Sequence, residues 1–480
     1  MTDYKLFING DWVESHAGTL KDDLNPATGA VFARVHQAGA QDVERAIAAA
    51  CDAAPAWGAT LPAEREAVLL KAADILADRI EEVAKVLINE GGSPFGKAMF
   101  EAGFVVNLLR SAAGECRRIF GETMPSDSPG LLSLSVRKPL GVIAGIAPFN
   151  FPFLLAYKKV ALAIAAGNAF ILKPAGETPV SGLKIAELFA EAGLPAGVLN
   201  VIPGPGAVVG EALVQDPRIA MITFTGSTET GKAIAAKAAA GLKKYTLELG
   251  GKSPMIILGD ADLDYAVDAA CFGIFLNQGQ VCMANSRLIV ERAVFDDFCK
   301  KFAAKVAGLQ MGDPNDPHTV IGPLITRDQC GFLAGHVEDA LARGAHLLHG
   351  GKSEGNFFEP TVLAGVTPEM RVYREESFGP VVSIIPVDDH EQALTIANDS
   401  NYGLSSAVIT NDLQKALYLS QNLEAGMVHI NGSSCYDEPH VPFGGIKDSG
   451  FGREGGRYSM EEMTEVKWIT IQMGQRHFPF

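Results

Sequence analysis

The chain has 480 residues, of which 48% are hydrophobic and 20% are charged, and its formal net charge is −16. A chain of this length exceeds one ordinary hydrophobic core, so it is expected to divide into two or three domains with little disorder. Because an acidic protein repels phosphate backbones and anionic lipid, the charge argues against nucleic acid or a membrane surface as a partner.

Two further features indicate the compartment. The longest apolar stretch, at about 161 to 172, is interrupted by Gly167 and Asn168, and the first residues lack a basic start followed by an apolar run. The seven cysteines have an odd total and no Cys-x-x-Cys spacing, which argues against a disulfide framework or a zinc ribbon. We therefore expect a cytoplasmic protein in a reducing compartment, without a membrane span.

The first part of the chain is predicted to be helical. Pro62 precedes an acidic and basic turn, as is typical of a helix start, and apolar residues from Leu69 to Ile80 follow at helical spacing. From residue 142 onward, short apolar strands alternate with helical runs. The predicted strands are Val142–Ala147, Ala169–Leu172, Val198–Ile202, Ala220–Phe224 and Tyr245–Leu249. Such alternation is typical of a parallel sheet covered on both faces, that is, a doubly wound α/β domain.

A second series of the same kind begins at Pro254–Ile257 and runs to about residue 440, which predicts a second α/β domain. Its first members are a helix at Leu263–Phe275, a strand at Leu288–Val290 and a helix at Val294–Val306.

Two segments belong to neither series. Leu131–Lys138 and Glu465–Gln472 both alternate apolar and polar residues, as exposed strands that need a partner do. A two-stranded arm packed on another subunit would satisfy them. We therefore expect a homo-oligomer, either a dimer or a dimer-based tetramer.

Two glycine-containing loops resemble phosphate-binding turns. Gly226-Ser227-Thr228 follows an apolar strand and opens an Ala-rich helix, as an anion-binding helix N-terminus does. It nearly matches a P-loop, but Ala233 stands where a hydroxyl must reach magnesium, so a pyrophosphate site without magnesium is the interpretation that stays open. The loop from Gly204 through Gly206 to Gly210 misses the dinucleotide fingerprint by one residue, and a plain turn explains it equally well.

Two other patterns carry no chemistry. Gly351-Lys352-Ser353-Glu354-Gly355 matches a hydrolase nucleophile elbow formally, but no helix follows it, so we interpret it as a turn. His346 and His349 have the spacing of a helical metal pair, yet they flank two leucines in a strand-like run without a third ligand, and no metal is predicted.

One cysteine lies in an unusual setting. Cys282 occupies a polar loop at 277–287 that contains a glycine and lies between an apolar helical run and an apolar strand-like run. A thiolate attacks carbonyl groups only where it is partly exposed and its charge is stabilised, and nearby amides and an arginine suit that requirement. Taken alone, this loop leaves an inert buried thiol open as well.

Five further segments occur in a fixed order with the Cys282 loop: Pro148–Pro152, Lys173–Ala175, Glu248–Pro254, Glu375–Pro380 and Pro442–Lys447. Together they closely resemble the NAD(P)-dependent aldehyde dehydrogenase superfamily, over about residues 5 to 475. The resemblance implies an NAD(P)-binding domain, a catalytic domain and an oligomerisation arm. The corresponding ranges are 1–122 with 141–249 and 447–464, then 250–446, and 123–140 with 465–480.

The resemblance also implies catalytic roles. Cys282 would attack the aldehyde carbon to form a thiohemiacetal, and the Asn150 amide with the Cys282 N–H would stabilise the oxyanion. Hydride transfer to the nicotinamide then leaves a thioester on Cys282. Glu248 would activate the water that hydrolyses it, so the free carboxylic acid is the expected product.

The cofactor residues implied in the same way are Lys173, Gly176, Gly206, Gly226, Ser227, Thr228, Leu249, Glu376 and Phe378. Many NAD-preferring members carry a carboxylate three residues after the lysine, but this chain has Gly176 there and Glu177 one place later. The missing carboxylate removes a ribose contact and a repulsion against a 2′-phosphate. We therefore expect NAD or NADP as cofactor, with the preference open.

The C-terminal run from Glu465 resembles the vanillin, benzaldehyde and salicylaldehyde branch of the superfamily. The residues expected to wall the substrate tunnel are Phe151, Leu154, Leu155, Lys158 and Tyr436. Lys158 stands where many relatives have an aromatic residue, and it would either contact a ring hydroxyl or reach solvent. The expected reaction is oxidation of an aromatic aldehyde to its acid. The alternatives are an aliphatic semialdehyde as substrate or a noncatalytic NAD-binding protein.

Overall fold

The protein is described by a computed structural model that covers residues 2–480. Two large parallel sheets with helices on their faces dominate it, as the sequence predicts. The helices are Ala40–Ala59, Pro62–Asp78, Ile80–Gly91, Phe95–Glu115, Pro152–Ala165, Pro179–Ala192, Glu211–Gln215, Thr228–Ala240, Leu263–Phe275, Arg292–Ala307, Arg327–Ala342, Arg371–Arg374, His390–Asn398, Leu413–Asn422 and Gly456–Glu462. A π-helical turn, Gly206–Gly210, and a 3₁₀ turn, Leu276–Gly279, complete the set.

The first sheet has eight strands. In spatial order they are Gly450–Phe451, Lys244–Glu248, Met221–Thr225, Val142–Ile146, Ala169–Lys173, Leu199–Val201, Leu6–Ile8 and Asp11–Val13. The five central strands are parallel. The chain order reverses between Val142–Ile146 and Met221–Thr225, and ligands of doubly wound sheets bind at the carboxyl ends of the strands beside such a reversal.

The second sheet has seven strands. They are His346–His349, Thr361–Ala364, Val381–Val387, Arg287–Glu291, Pro254–Ile257, Ser405–Ile409 and Met427–Ile430. All pairs are parallel except the edge strand that carries His346 and His349. The doubly wound α/β fold class is therefore confirmed for both sheets, while the domain boundaries stay a prediction.

The two unassigned segments pair with each other. Leu131–Pro139 and Thr464–Gln472 form an antiparallel pair along their whole length, and the short strand Thr123–Met124 joins them. Trp468 on this arm is 68% exposed and Val466 is 51% exposed. The arm thus leaves apolar side chains in contact with solvent, and its packing on another subunit stays a prediction.

The prediction of a helical first part was incomplete. Helices begin at Ala40, but a three-stranded sheet of Asp3–Tyr4, Val31–His36 and Leu20–Leu24 precedes them. These strands are short and several of their residues are charged, so neither length nor alternation identified them. Two small two-stranded antiparallel sheets complete the strands: Ser353–Glu354 pairs with Phe357–Phe358, and Tyr402–Gly403 pairs with Ile446–Lys447.

Within residues 2–480, no helix is long and apolar enough to cross a membrane.

Candidate active site

A cleft of 730 Å³ opens at the carboxyl edge of the first sheet, beside the reversal of strand order. The loop after Val142–Ile146 forms one wall, and the loop after Met221–Thr225, which carries Gly226 and Ser227, forms another. Ser227 caps the helix Thr228–Ala240, and its side chain accepts a hydrogen bond from the Thr230 N–H. The free N–H groups of such a helix start attract an anionic group.

Most residues predicted for the cofactor line this cleft. They are Lys173, Gly206, Gly226, Ser227, Leu249, Glu376 and Phe378. Lys173 is buried, and burial lowers the pKa of its ammonium group while Glu177 opposes the shift. The volume, a buried cation and a helix N-terminus suit a dinucleotide, so these residues fit NAD(P), which supplies the hydride acceptor when bound.

Two predicted cofactor residues do not line the cleft. The Gly176 carbonyl accepts a hydrogen bond from Lys21 Nζ at 2.9 Å, and its neighbour Glu177 lines the cleft instead. The Thr228 hydroxyl donates its hydrogen bond to the Asp448 carbonyl at 3.0 Å and does not line the cleft.

The Cys282 loop begins with two residues of strained backbone. Asn277 and Gln278 have φ values of 49° and 46°, a region that residues with a side chain rarely adopt. Side-chain hydrogen bonds hold both residues there, because Gln278 Nε2 donates to the Pro323 carbonyl at 3.0 Å and Asn277 Nδ2 donates to the Asn150 carbonyl at 3.1 Å. The strain therefore occurs where the loop is tied to a second site residue.

Two glycines allow the backbone after Glu248 to pack closely against the Cys282 loop and Glu376. A Cβ on Gly251 would come within 2.3 Å of the Cys282 carbonyl oxygen, and a Cβ on Gly250 would come within 2.3 Å of Glu376 Oε2. The Gly251 N–H also donates to Glu376 Oε1 at 2.9 Å. The loop after Glu248 thus packs against both the Cys282 loop and the carboxylate of Glu376, one of the predicted cofactor residues.

Asn150 lies beside the Cys282 loop and is 5% exposed. Its Nδ2 donates one hydrogen bond to the Gln280 carbonyl at 3.0 Å, and an amide nitrogen has a second N–H to offer. Lys97 Nζ donates to the Asn150 carbonyl at 2.8 Å and to Glu101 Oε2 at 2.6 Å. A buried ion pair therefore fixes the backbone of the residue predicted to stabilise the oxyanion.

Glu248 ends the strand Lys244–Glu248 and is buried, and neither of its carboxyl oxygens has a hydrogen-bond partner within residues 2–480. Burial raises the pKa of Glu248 well above its usual value, and Glu454 raises it further. Lys159 opposes the shift, and it forms a buried ion pair with Glu454. These surroundings favour the protonated form of Glu248, and a higher pH converts more of it to the base.

The Cys282 thiol is half-buried at the point where the cofactor cleft meets a second cavity. Burial raises the pKa of this thiol, and the carboxylate of Glu376 raises it further. The Met283 N–H opposes the shift. The resting thiol is therefore neutral, and attack on a carbonyl group requires that its proton be removed.

The second cavity has a volume of 300 Å³ and is walled mainly by apolar side chains. Its aromatic lining residues are Phe100, Phe104, Phe151, Phe272, Tyr436 and Phe443. Leu154 and Leu155 also line it, so four of the five residues predicted for the substrate tunnel do. Asn150 and Cys282 lie on the walls of both cavities, so the predicted nucleophile stands between them.

Lys158 is the exception. It belongs to the helix Pro152–Ala165, whose residues are all buried, and its side chain is 0% exposed. Of the two alternatives that the sequence left open for Lys158, the one in which it reaches solvent is therefore wrong, and its Nζ forms an ion pair with Asp437 at 2.6 Å. Asp437, rather than Lys158, lines the cavity.

Comparison with known proteins agrees with this geometry. The sequence model of the aldehyde dehydrogenase family matches residues 12–469. The chain belongs to the aldehyde dehydrogenase family. This aldehyde dehydrogenase is 45% identical to a vanillin dehydrogenase of a Pseudomonas species, strain HR199, over 99% of both chains. It is 39% identical to a glutarate-semialdehyde dehydrogenase of Pseudomonas putida over 98% of both chains. A crystal structure of a salicylaldehyde dehydrogenase from Pseudomonas putida G7, complexed with salicylaldehyde, superimposes with a TM-score of 0.98 at 38% identity, covering 100% of both chains.

Sequence reasoning missed several site residues of this aldehyde dehydrogenase. They are Lys97, Glu101, Lys159, Asp437 and Glu454. A signal existed for some of them, because a Lys and a Glu four residues apart pair on a helix, and two adjacent lysines inside an apolar helix require buried partners. The carboxylates of the C-terminal segment gave no such signal, since their partners lie hundreds of residues away.

Proposed function

We propose that this aldehyde dehydrogenase oxidises an aromatic aldehyde to its carboxylic acid with NAD or NADP. The observation that carries the proposal is the cavity lined by aromatic side chains that ends on Cys282. A flat aromatic ring buries well between such walls, with its aldehyde carbon directed at the thiol.

The catalytic residues act in sequence. The Cys282 thiol gives its proton to solvent, and Sγ attacks the aldehyde carbon as the π bond of the carbonyl group breaks. The Asn150 amide with the Cys282 N–H stabilises the resulting oxyanion, each donor contributing about 3 kcal/mol. When bound, the nicotinamide would accept the hydride from this carbon, and the carbonyl group would form again as a thioester on Cys282. Glu248, once ionised, takes a proton from water, whose oxygen attacks the thioester and releases the acid and the thiol.

Charge argues against the semialdehyde alternative. A carboxylate-bearing aldehyde needs an unpaired cation in the substrate cavity. Both lysines beside the cavity are paired with carboxylates, Lys97 with Glu101 and Lys158 with Asp437, so their charges cancel. The noncatalytic alternative is disfavoured because Cys282, Glu248 and Asn150 are all retained.

The neighbourhood of Gly176 supports acceptance of NADP beside NAD. No carboxylate stands at that position, and the ammonium group of Lys21 lies against its carbonyl. A cation there attracts a 2′-phosphate, while Glu177 on the cleft wall is available to ribose hydroxyls. We also propose that the strand pair Leu131–Pro139 and Thr464–Gln472 packs on a second subunit through its exposed apolar residues.

The test is a substrate panel followed by the absorbance of the reduced nicotinamide. Benzaldehyde, vanillin, short aliphatic aldehydes and a dicarboxylic semialdehyde are each offered with NAD and with NADP. Faster turnover of the aromatic members supports the proposal. Good turnover of aliphatic aldehydes with none of benzaldehyde or vanillin contradicts it.

A further inference from the structure

The ion pair between Lys158 and Asp437 leaves hydrogen-bonding capacity unused beside the substrate cavity. Apart from that pair, neither Lys158 Nζ nor Asp437 Oδ1 has a hydrogen-bond partner within residues 2–480. Lys158 Nζ also lies 4.3 Å from the centre of the Phe443 ring, on the cavity wall. A buried carboxylate oxygen without a donor is costly, so it is a site where a bound molecule gains by offering an N–H or O–H group.

Asp437 is held at a defined place relative to the thiol. The Ser434 hydroxyl, three residues earlier, donates to the Met283 carbonyl at 2.6 Å, next to Cys282 in the chain. The Ser405 hydroxyl in turn donates to the Ser434 carbonyl at 2.7 Å. The loop that carries Asp437 is thus tied to the Cys282 loop, and a substrate attacked by the thiol meets Asp437 at a fixed separation.

The charge of the pair selects the kind of donor. Lys158 already neutralises Asp437, so an ammonium group on the substrate would meet the repulsion of Lys158 as well as the attraction of Asp437. A neutral O–H group avoids that repulsion and still forms a charge-assisted hydrogen bond to the carboxylate. Since the remaining walls are aromatic, the fitting group is a hydroxyl carried on a ring.

We infer that Asp437, positioned by Lys158, recognises a phenolic hydroxyl, so the preferred substrates are hydroxy-substituted aromatic aldehydes. This inference rests on the proposed function, and it names a specificity-determining residue that acts on the substrate through its side chain. The methyl ether of the same hydroxyl lacks the hydrogen and leaves Asp437 Oδ1 unpaired, so it is disfavoured.

The experiment compares kcat/KM for benzaldehyde, the three hydroxybenzaldehyde isomers and their methoxy counterparts. At least one hydroxy isomer is expected to exceed both benzaldehyde and its own methyl ether by about tenfold or more, as befits a hydrogen bond to a charged group. In the double variant Lys158→Met with Asp437→Leu, which removes both charges together, that ratio is expected to fall to about one. The benzaldehyde rate of each variant is its own reference, so a general loss of activity cancels.

Tyr436→Phe is the matched control. Tyr436 is another polar group on the same cavity wall, but its hydroxyl already donates to Glu438 Oε1 at 2.5 Å. The hydroxy-to-methoxy ratio should survive this change. A ratio that disappears with Tyr436→Phe, or persists in the double variant, overturns the inference.

A binding measurement covers the case in which the double variant does not fold. Hydroxybenzyl and methoxybenzyl alcohols have no aldehyde group, so their dissociation constants report recognition without turnover. The hydroxy compound is expected to bind more tightly to the wild type, and Asp437→Asn should reduce the difference several-fold. Equal binding by the wild type overturns the inference, whereas failure to oxidise any aromatic aldehyde while aliphatic ones react overturns the proposed function itself.

Discussion

The cofactor cleft and the substrate cavity meet at Cys282, yet they are built differently. The cleft is formed largely by loops at the ends of sheet strands, where glycines and a helix start face the ligand. The cavity is formed by helix faces and the loop that carries Asp437, with lining residues that range from Gly96 to Phe443 in the chain. The residues of the cofactor cleft therefore belong to short sequence motifs. The residues that would select the substrate are scattered along the chain, and only the tertiary structure brings them together.

The largest effect should come from Cys282, which lies on the walls of both cavities. Cys282→Ala removes the nucleophile, so oxidation of every aldehyde with either cofactor should fall by about 10⁴-fold or more. Cys51→Ala, at another half-buried thiol on the helix Ala40–Ala59, is the control and should keep activity. If the Cys282→Ala variant still oxidised one class of aldehyde, that class would not require Cys282 as its nucleophile.

Glu248→Gln should separate the two halves of the reaction. The amide cannot take a proton from water, so steady-state turnover should fall by about 10²- to 10⁴-fold. Hydride transfer should still occur once, and rapid mixing should show a burst of about one reduced nicotinamide per active site. Loss of the burst together with the turnover would show that Glu248 is needed before hydride transfer.

The raised pKa of Glu248 gives the wild type a pH dependence. The raised pKa moves ionisation of Glu248 to a higher pH than that of a free carboxyl group, so thioester hydrolysis should accelerate as the pH rises. Turnover measured under conditions where hydrolysis limits the rate tests this. A hydrolysis rate that does not rise with pH would contradict this expectation.

Asn150→Ala should lower kcat for every aldehyde, because Asn150 lies where the two cavities meet. Removal of one oxyanion donor costs about 10²- to 10³-fold in kcat. The effect should be similar for aromatic and aliphatic aldehydes, since every aldehyde forms the same oxyanion. An effect on KM alone would indicate that the amide contacts the substrate elsewhere.

The smallest effect should come from a substitution at Gly176, and it should change only the preference between NAD and NADP. A Cβ on Gly176 would have only Lys21 Nζ within 4 Å, at 3.6 Å, so Gly176→Glu is sterically tolerated. The new carboxylate should repel a 2′-phosphate and occupy Lys21, which lowers kcat/KM for NADP relative to NAD by about tenfold. The order of preference among aldehydes should not change, and a change there would contradict the separation of the two cavities.

The sequence alone was sufficient for the fold class, and its motifs include Asn150 and Cys282, which lie on the walls of both cavities. Alternating strands and helices predicted the doubly wound sheets, and the motifs around Asn150, Glu248 and Cys282 occur in the expected order. These features are local, because strand periodicity and strand-end loops depend on neighbouring residues. The short charged strands before Ala40 were missed for the same reason, since their local signal is weak.

Only the tertiary structure decided which charges face the substrate. Lys158 and Lys159 are adjacent in one buried helix, but Lys158 pairs with Asp437 at the cavity and Lys159 pairs with Glu454 beside Glu248. The partner carboxylates lie about 280 and 295 positions away in the chain. A buried lysine must find a counter-charge, but sequence does not reveal which one, because that choice depends on how distant segments pack.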